Sequence, residues 1–383
     1  MKIDNLKYEE CCGCTACVQI CPKEAIRFER DEKKFGYPII DRNKCIECGL
    51  CDRVCKFYKT EILKEFPQEY YAAKSKSIQE RMRSRSGGAF FLVAKRIINN
   101  GGIVYGVIQD DNLQVKFLRG VTIEDCIKMQ GSKYVESNIE GVYQEVKKDI
   151  QNGKSVLFSG TACQVAGLKG YLGQINLDNL WTIDIVCHGV TSVRVYEDYI
   201  QFIQKKYRGK IEKFNFRDKL LGWEPCVESY VIKGKKHYSD NYSRLFFSRA
   251  TMRPSCSNCA YANYNRPADM TLADCWGINK VDSHFNDDKG VSAIIINSRK
   301  GQELFHKIKV EMDYVPLTKE QCDQPNLRRA TPKSDEIEEF WNLYERRGIR
   351  GVLKKYGGYD ILRRIKWKIK DLPKMLKCEE LKQ

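Results

Sequence analysis

Five cysteines fall within the twelve residues CCGCTACVQICP that begin at Cys11, and thiols at this density bind metal, carry electrons or form disulfides. Cys11, Cys14, Cys17 and Cys21 are separated by two, two and three residues, with Pro22 directly after the last. Four thiolates at those gaps, closed by a proline, are the signature of a 4Fe–4S site. The pattern recurs in CIECGLCDRVC, where Cys45, Cys48, Cys51 and Cys55 keep the same gaps at a constant offset of 34 residues. An internal duplication accounts for the repeat. Cys12 belongs to neither run and is expected to be a buried thiol.

A 4Fe–4S cube needs four converging sulfurs, and loops of two residues let three neighbouring cysteines wrap it while the fourth comes from farther away. In two-cluster bacterial ferredoxins the last cysteine of each run crosses to the other cluster. The expected sets are therefore Cys11, Cys14, Cys17 with Cys55, and Cys45, Cys48, Cys51 with Cys21. Zinc knuckles are the competing reading, but zinc usually takes two separated pairs, often with histidine. The first histidine of this chain is His188. Lys56 stands where the first run has Pro22, which loosens the turn after Cys55 and keeps the ligand.

Four later cysteines form a subtler set. Cys256 and Cys259 sit in the loop-like RPSCSNCAYANYNRPADM, and Cys163 (SGTACQ) and Cys187 (VCHG) stand where predicted strands end. Ligand crevices of α/β sheets open at the carboxyl ends of strands, so these four could meet and hold a third cluster. Spacing alone leaves other readings open: small core residues at Cys163 and Cys187, a zinc half-site at Cys256 and Cys259, or a nucleophile at Cys163 served by His188. The turns in SRSGGAFF, MQGSKYVES and FSGTACQ place small residues near helix starts, where free N–H groups receive phosphate oxygens, and Lys133 adds a charge. Such residues also mark ordinary turns. Clusters move single electrons and most metabolites are reduced by two, a mismatch that a flavin bridges.

The elements that must position these groups follow from the pattern. The chain has 383 residues, 42% hydrophobic and 11% aromatic, enough for two or three domains with ordinary cores. Residues 1–60 form the cysteine-dense module, in which AIRFERDEKKFGYPII reads as two short strands joined by a charged turn. Residues 68–335 alternate between strand-like and helix-like segments, the pattern of a mixed α/β or α+β domain. AFFLVAKRIINN is a helix stopped by Gly101 and Gly102, SVLFSG is a strand running into the helix TACQVAGLKGYL, and LWTIDIVCHG repeats that arrangement. Residues 336–383 read as a basic helical tail peripheral to the core.

No apolar stretch of signal-peptide length occurs in MKIDNLKYEECC, and nowhere do eighteen apolar residues run together, so a soluble cytoplasmic protein with reduced thiols is expected. The formal charge is +16, and from Arg346 to Lys377 twelve Lys or Arg face two acidic residues. Interleaved Ile, Leu and Trp367 would let that tail lie on an anionic membrane, dock an acidic ferredoxin, or simply be a solvated basic helix. Nucleic acid is not expected as a partner, because no helix-turn-helix, zinc-finger or stacking motif accompanies the charge.

The stretches SGGAF, GSKYVES, VLFSGTACQVAGLKGYL, DIVCHGVTS, FNFRDKLLGW, RPSCSNCAYANYNRPADMTLADCWGI and KGVSAIIIN run in order from about residue 70 to 300. In them the chain resembles the coenzyme F-420 hydrogenase/dehydrogenase beta-subunit family, including relatives with an N-terminal ferredoxin domain. The resemblance implies FAD beside a third 4Fe–4S cluster held by Cys163, Cys187, Cys256 and Cys259, with Cys275 a non-ligand. It implies flavin contacts from Ser86, Gly87 and Gly88, from Gly131, Ser132, Lys133 and Tyr134, and from Gly160, Thr161 and Gln164. Ala162 stands where relatives commonly have proline. The implied activity is an electron relay from ferredoxin or another one-electron donor, through three clusters to FAD, with hydride transfer to or from a small-molecule substrate. His188 is a candidate proton donor or a structural histidine. The alternative is an electron-transfer subunit of a larger hydrogenase or dehydrogenase without its own substrate. Relatives act on a deazaflavin coenzyme or a chlorophyll derivative, and bacterial members accompany surface-polysaccharide synthesis.

Overall fold

The two cysteine runs fold alike. In the computed structural model, which describes residue 3, residues 6–55, residue 57 and residues 66–360, each run leads into a single short helix, Ala16–Gln19 and Leu50–Val54. Both helices start after a left-handed residue at the equivalent position, Thr15 (φ 60°) and Gly49 (φ 69°), which turns the chain between the second and third cysteine of the run. Between the runs, β1 (Ile26–Arg30) and β2 (Gly36–Ile40) pair antiparallel as the expected hairpin. Its charged turn is held by Asp31, whose carboxylate accepts from the backbone N–H of Lys33 at 3.0 Å and Phe35 at 2.8 Å.

Eleven further strands follow: β3 (Glu69–Ser75), β4 (Ile103–Gln109), β5 (Val115–Gly120), β6 (Val156–Thr161), β7 (Leu180–Ile185), β8 (Ile211–Asp218), β9 (Val227–Ile232), β10 (Lys235–Ser239), β11 (Met270–Asp274), β12 (Ser292–Ile296) and β13 (Met312–Leu317). Eight of them form one mixed sheet in the order β13-β3-β12-β11-β7-β6-β4-β5, and β10-β9-β8 form a smaller antiparallel sheet. β4, β6, β7 and β11 run parallel. β3 points the same way, because β12 is antiparallel to both β3 and β11. Five strands thus end at one edge, and that edge carries the functional groups.

Alternation along the strands divides the core. Leu157 of β6 packs with the helix Ala89–Asn99 on one face, whereas Val156 and Phe158 pack with the helix Ala162–Leu172 on the other. Ala16 and Val54 of the cysteine module enter this second apolar cluster, so the module is docked on the sheet domain. Gln19 fixes the register of docking: its amide donates to Ile139 O at 3.1 Å and accepts from the Tyr143 N–H at 2.8 Å. Gly167 permits the approach, since a Cβ there would stand 2.9 Å from Cys14 Cβ.

The stretch after residue 335 begins as the helix Ile337–Lys355, interrupted at Gly348 (φ 58°). Phe340, Trp341, Tyr344, Val352 and Leu353 of this helix are buried in one cluster with residues of the small sheet and the helix Val193–Tyr207, so the helix on both sides of Gly348 contributes to the core. Residues 361–383, which carry most of the basic charge and Trp367, lie outside the described residues. No helix among the described residues is long and apolar enough to cross a membrane.

Candidate functional site

Folding the module gathers its thiols into two groups. One cavity, about 350 Å³, is lined by Cys21, Cys45, Cys48 and Cys51 together with Ile26, Ile40 and Leu50. The other, about 490 Å³, is lined by Cys11, Cys14, Cys17 and Cys55, with Cys12, Cys163 and Tyr261 on its inner wall. The grouping is crossed: each cavity takes three cysteines of one run and the last cysteine of the other. The outer cavity reaches the surface at Cys48, which is exposed, whereas Cys11 is buried. Among the described residues no three Cys, His, Asp or Glu side chains converge on a point as ligands of a single metal ion do.

The sheet edge assembles the third set. β6 and β7 are parallel neighbours whose last paired residues are Thr161 and Ile185, and each cysteine lies two positions beyond, at Cys163 and Cys187. The loop that returns to β11 brings Cys256 and Cys259 to the same place. All six pairs among these four cysteines lie close enough for their charges to interact. Burial, with the charge of neighbouring thiolates second, pushes the Cys187 thiol up to about 12 and the Cys259 thiol up to about 11. A site that disfavours free thiolates this strongly suits a cationic metal centre that would hold them ionised. Cys12 joins the sets, because it lines the same cavity as Cys14 and Cys163.

Two arginines frame this quartet, and sequence reasoning missed both. Arg253 and Arg266 each precede a proline on either side of the cysteine pair, a doublet of Arg-Pro that was the available signal. Arg266 pairs with Asp184 at 3.0 Å with both side chains buried, and donates to Tyr261 O at 2.5 Å and Ile185 O at 2.9 Å. It thereby ties the end of β7 to the loop that carries Cys259. Arg253 reaches instead into the cysteine module, where it donates to Cys11 O at 2.8 Å.

The three glycine-rich turns lie side by side along the same edge. Gln130 Nε2 donates to Ser84 Oγ at 2.8 Å, joining the 130–134 turn to the 84–88 turn, and Gln164 Nε2 donates to Ser137 Oγ at 3.0 Å, joining the first to the 160–164 turn. Their polar groups are partly committed. The Gly87 N–H donates to Ser292 Oγ at 2.9 Å, and the Thr161 N–H donates to Gln164 Oε1 at 2.9 Å in a capping box. Lys133 donates to the carbonyls of Lys128, Met129 and Gln130 at 3.1, 2.9 and 2.9 Å, capping the helix Ile123–Met129, so its charge serves the fold. Tyr134 stacks on Phe246 at 4.4 Å and faces Arg217, whose Nη1 donates to its hydroxyl at 3.3 Å.

Beside these turns are N–H groups without a partner among the described residues. Arg85 Nε and Arg217 Nε are buried and unbonded, although Arg85 also donates to Trp223 O at 2.8 Å and pairs with Asp274 at the end of β11 at 3.2 Å. Trp223 stacks on Trp276 at 4.9 Å, and Trp276 is 45% exposed beneath the Arg85 guanidinium. Buried guanidinium donors beside an aromatic platform fit a phosphorylated ring cofactor such as FAD. His188 adjoins this arrangement through Phe246, the ring on which Tyr134 stacks. Its ring lies against Phe246 and Phe247, Thr331 Oγ1 lies 3.4 Å from its Nδ1, and its buried Nε2 has no partner among the described residues. Burial, then the charge of Arg249, holds it below the usual histidine range.

A two-cavity cysteine module docked on a sheet whose edge gathers four further cysteines is the build of an iron–sulfur electron-transfer protein. Residues 10–58 match the 4Fe-4S dicluster domain. Residues 153–321 match the family described as the C terminus of the coenzyme F420 hydrogenase/dehydrogenase beta subunit. A curated relative, the coenzyme F420-dependent sulfite reductase of Methanocaldococcus jannaschii, is 23% identical over 379 residues, covering 92% of this chain and 55% of that protein. The chain thus spans about half the length of the curated relative it matches. Among solved structures, a chain from the xenon-derivatised F420-reducing NiFe hydrogenase complex of Methanosarcina barkeri aligns with TM-score 0.46 and 17% identity over 76% of this chain and 91% of that one.

Proposed function

We propose that the chain is an iron–sulfur flavoprotein oxidoreductase that passes single electrons between an external carrier, such as ferredoxin, and FAD through three 4Fe–4S clusters. The observation that carries the reading is the alignment of the three cysteine sets. The outer set opens to solvent at Cys48, and the inner set shares a cavity wall with Cys12 and Cys163. In this reading Cys21, Cys45, Cys48 and Cys51 hold the outer cluster, Cys11, Cys14, Cys17 and Cys55 the inner, and Cys163, Cys187, Cys256 and Cys259 the central one. FAD, held by Arg85, Arg217 and the three glycine-rich turns, supplies the conversion between one-electron and two-electron chemistry. The chain's own residues do the rest: Arg266 fixes the central ligands, the apolar walls exclude water, and Trp276 offers a ring face to a planar substrate. Thiols kept reduced in this number suit the cytoplasm.

The name of the curated relative makes coenzyme F420 the first two-electron carrier to test as substrate, whereas a role in surface-polysaccharide metabolism follows from the family resemblance alone. Anaerobic purification with iron, sulfide and flavin quantitation tests the reading, which expects about 12 irons and one flavin per chain. About eight irons would leave only the N-terminal pair and overturn it. A second reading, an electron-transfer subunit without its own substrate, is favoured by the chain spanning 55% of its relative's length. Turnover of a small acceptor by the purified chain alone decides between the two.

A further inference from the structure

Arg253 is a cation in an almost wholly buried place, 1% exposed, and its hydrogen bonds run to residues far away in sequence. Its Nε donates to Cys11 O at 2.8 Å, and its Nη2 donates to Gly36 O at 2.7 Å and approaches Cys11 Sγ at 3.6 Å. Its Nη1 pairs with Glu136 Oε2 at 2.5 Å, and the guanidinium lies over the Tyr37 ring at 4.6 Å. Glu136 is shared, since Arg30 also stands 3.7 Å from it. One carboxylate therefore serves two guanidinium groups, and the one against Cys11 keeps part of its charge. Docking the module would need only the backbone contacts; the approach to a ligating sulfur goes further.

We propose that Arg253 is a positioning residue that raises the reduction potential of the cluster held by Cys11, Cys14, Cys17 and Cys55. The proposal rests on the reading of those cysteines as ligands. Reduction adds one electron and one negative charge to a cluster, and hydrogen bonds to its sulfurs and nearby positive charge favour the reduced form. Glu136 acts in the opposite sense, by neutralising the guanidinium. The two residues form an opposed pair around one sulfur, and this gives the proposal a signature that simple loss of packing lacks.

The test uses the anaerobically purified full-length holoprotein, with iron counted first and the clusters then titrated against dithionite and followed by EPR. Arg253→Gln should lower the potential of one cluster out of three, shifting its reduced-to-oxidised ratio at fixed potential roughly tenfold, about 59 mV for one electron. Arg253→Lys, which keeps the charge, should shift it less. Glu136→Gln should move the same signal upward. An iron-loaded Arg253→Gln that titrates like the wild type, or the two variants moving together, would overturn the proposal. Should Arg253→Gln fail to fold or load, Glu136→Gln decides, and the absence of an upward shift is the negative result. An iron count left unchanged by Cys11→Ser removes the ligand reading itself, whereas an unmoved potential in loaded protein removes this inference alone.

Discussion

In the proposed reading, the N-terminal module and the edge of the large sheet solve the same problem, four sulfurs around one centre, in opposite ways. In the module three of each four cysteines are neighbours in sequence, and two short helices with left-handed N-cap residues present them locally. At the sheet edge the four cysteines are up to 96 positions apart, from Cys163 to Cys259, and the parallel pairing of β6 with β7 and the buried Arg266–Asp184 pair bring them together. The first kind of site is specified by a motif, and the second by the fold. Damage to the fold should therefore reach the second site while sparing the first.

The largest effect expected is on metal content. Cys256→Ser should remove about four of about twelve irons and leave the ferredoxin-like signals intact, while Cys48→Ser should remove a similar number without changing flavin content. Iron analysis beside flavin absorbance checks both, and a loss of all iron in either variant would merge the two regions into one cooperative site. Next is Arg266→Leu, which strands Asp184 as a buried unpaired charge. It should cost about 3–5 kcal/mol, read as a lowered Tm, and should release the central cluster before the module's.

Gly167→Ala probes the seam between the regions, because the added Cβ would meet Cys14 Cβ at 2.9 Å and the Tyr143 hydroxyl at 2.8 Å. Overpacking there should cost about 1–3 kcal/mol, measured by denaturant unfolding. Smallest is Lys133→Met, which removes a helix cap at a cost of about 1 kcal/mol. A large fall in flavin content in that variant would return Lys133 to the cofactor site.

The same contrast explains what could be read before the structure. The eight module cysteines, their crossed grouping and the hairpin between the runs were legible, because each depends on contacts within about forty residues. The strands ending at Cys163 and Cys187 were legible as elements, but their adjacency needed the β6–β7 register. The glycine-rich setting of Lys133 points to a phosphate; helix capping three to five residues upstream is a local competitor that the same setting also permits. The helix Ile337–Lys355 reads as part of a basic tail because Arg and Lys outnumber Glu along it, yet its apolar side chains pack into the core cluster. Arg85 was invisible and Arg253 was marked only by the proline after it, since their partners lie more than a hundred positions away.

The central claim is that three one-electron centres and one two-electron cofactor share this chain in a single line. An anaerobic reductive titration of the purified protein, counting electrons per chain by optical and EPR change, addresses it most directly. The account predicts uptake of about five electrons, one for each of three clusters and two for the flavin. Uptake of two electrons or fewer would contradict it.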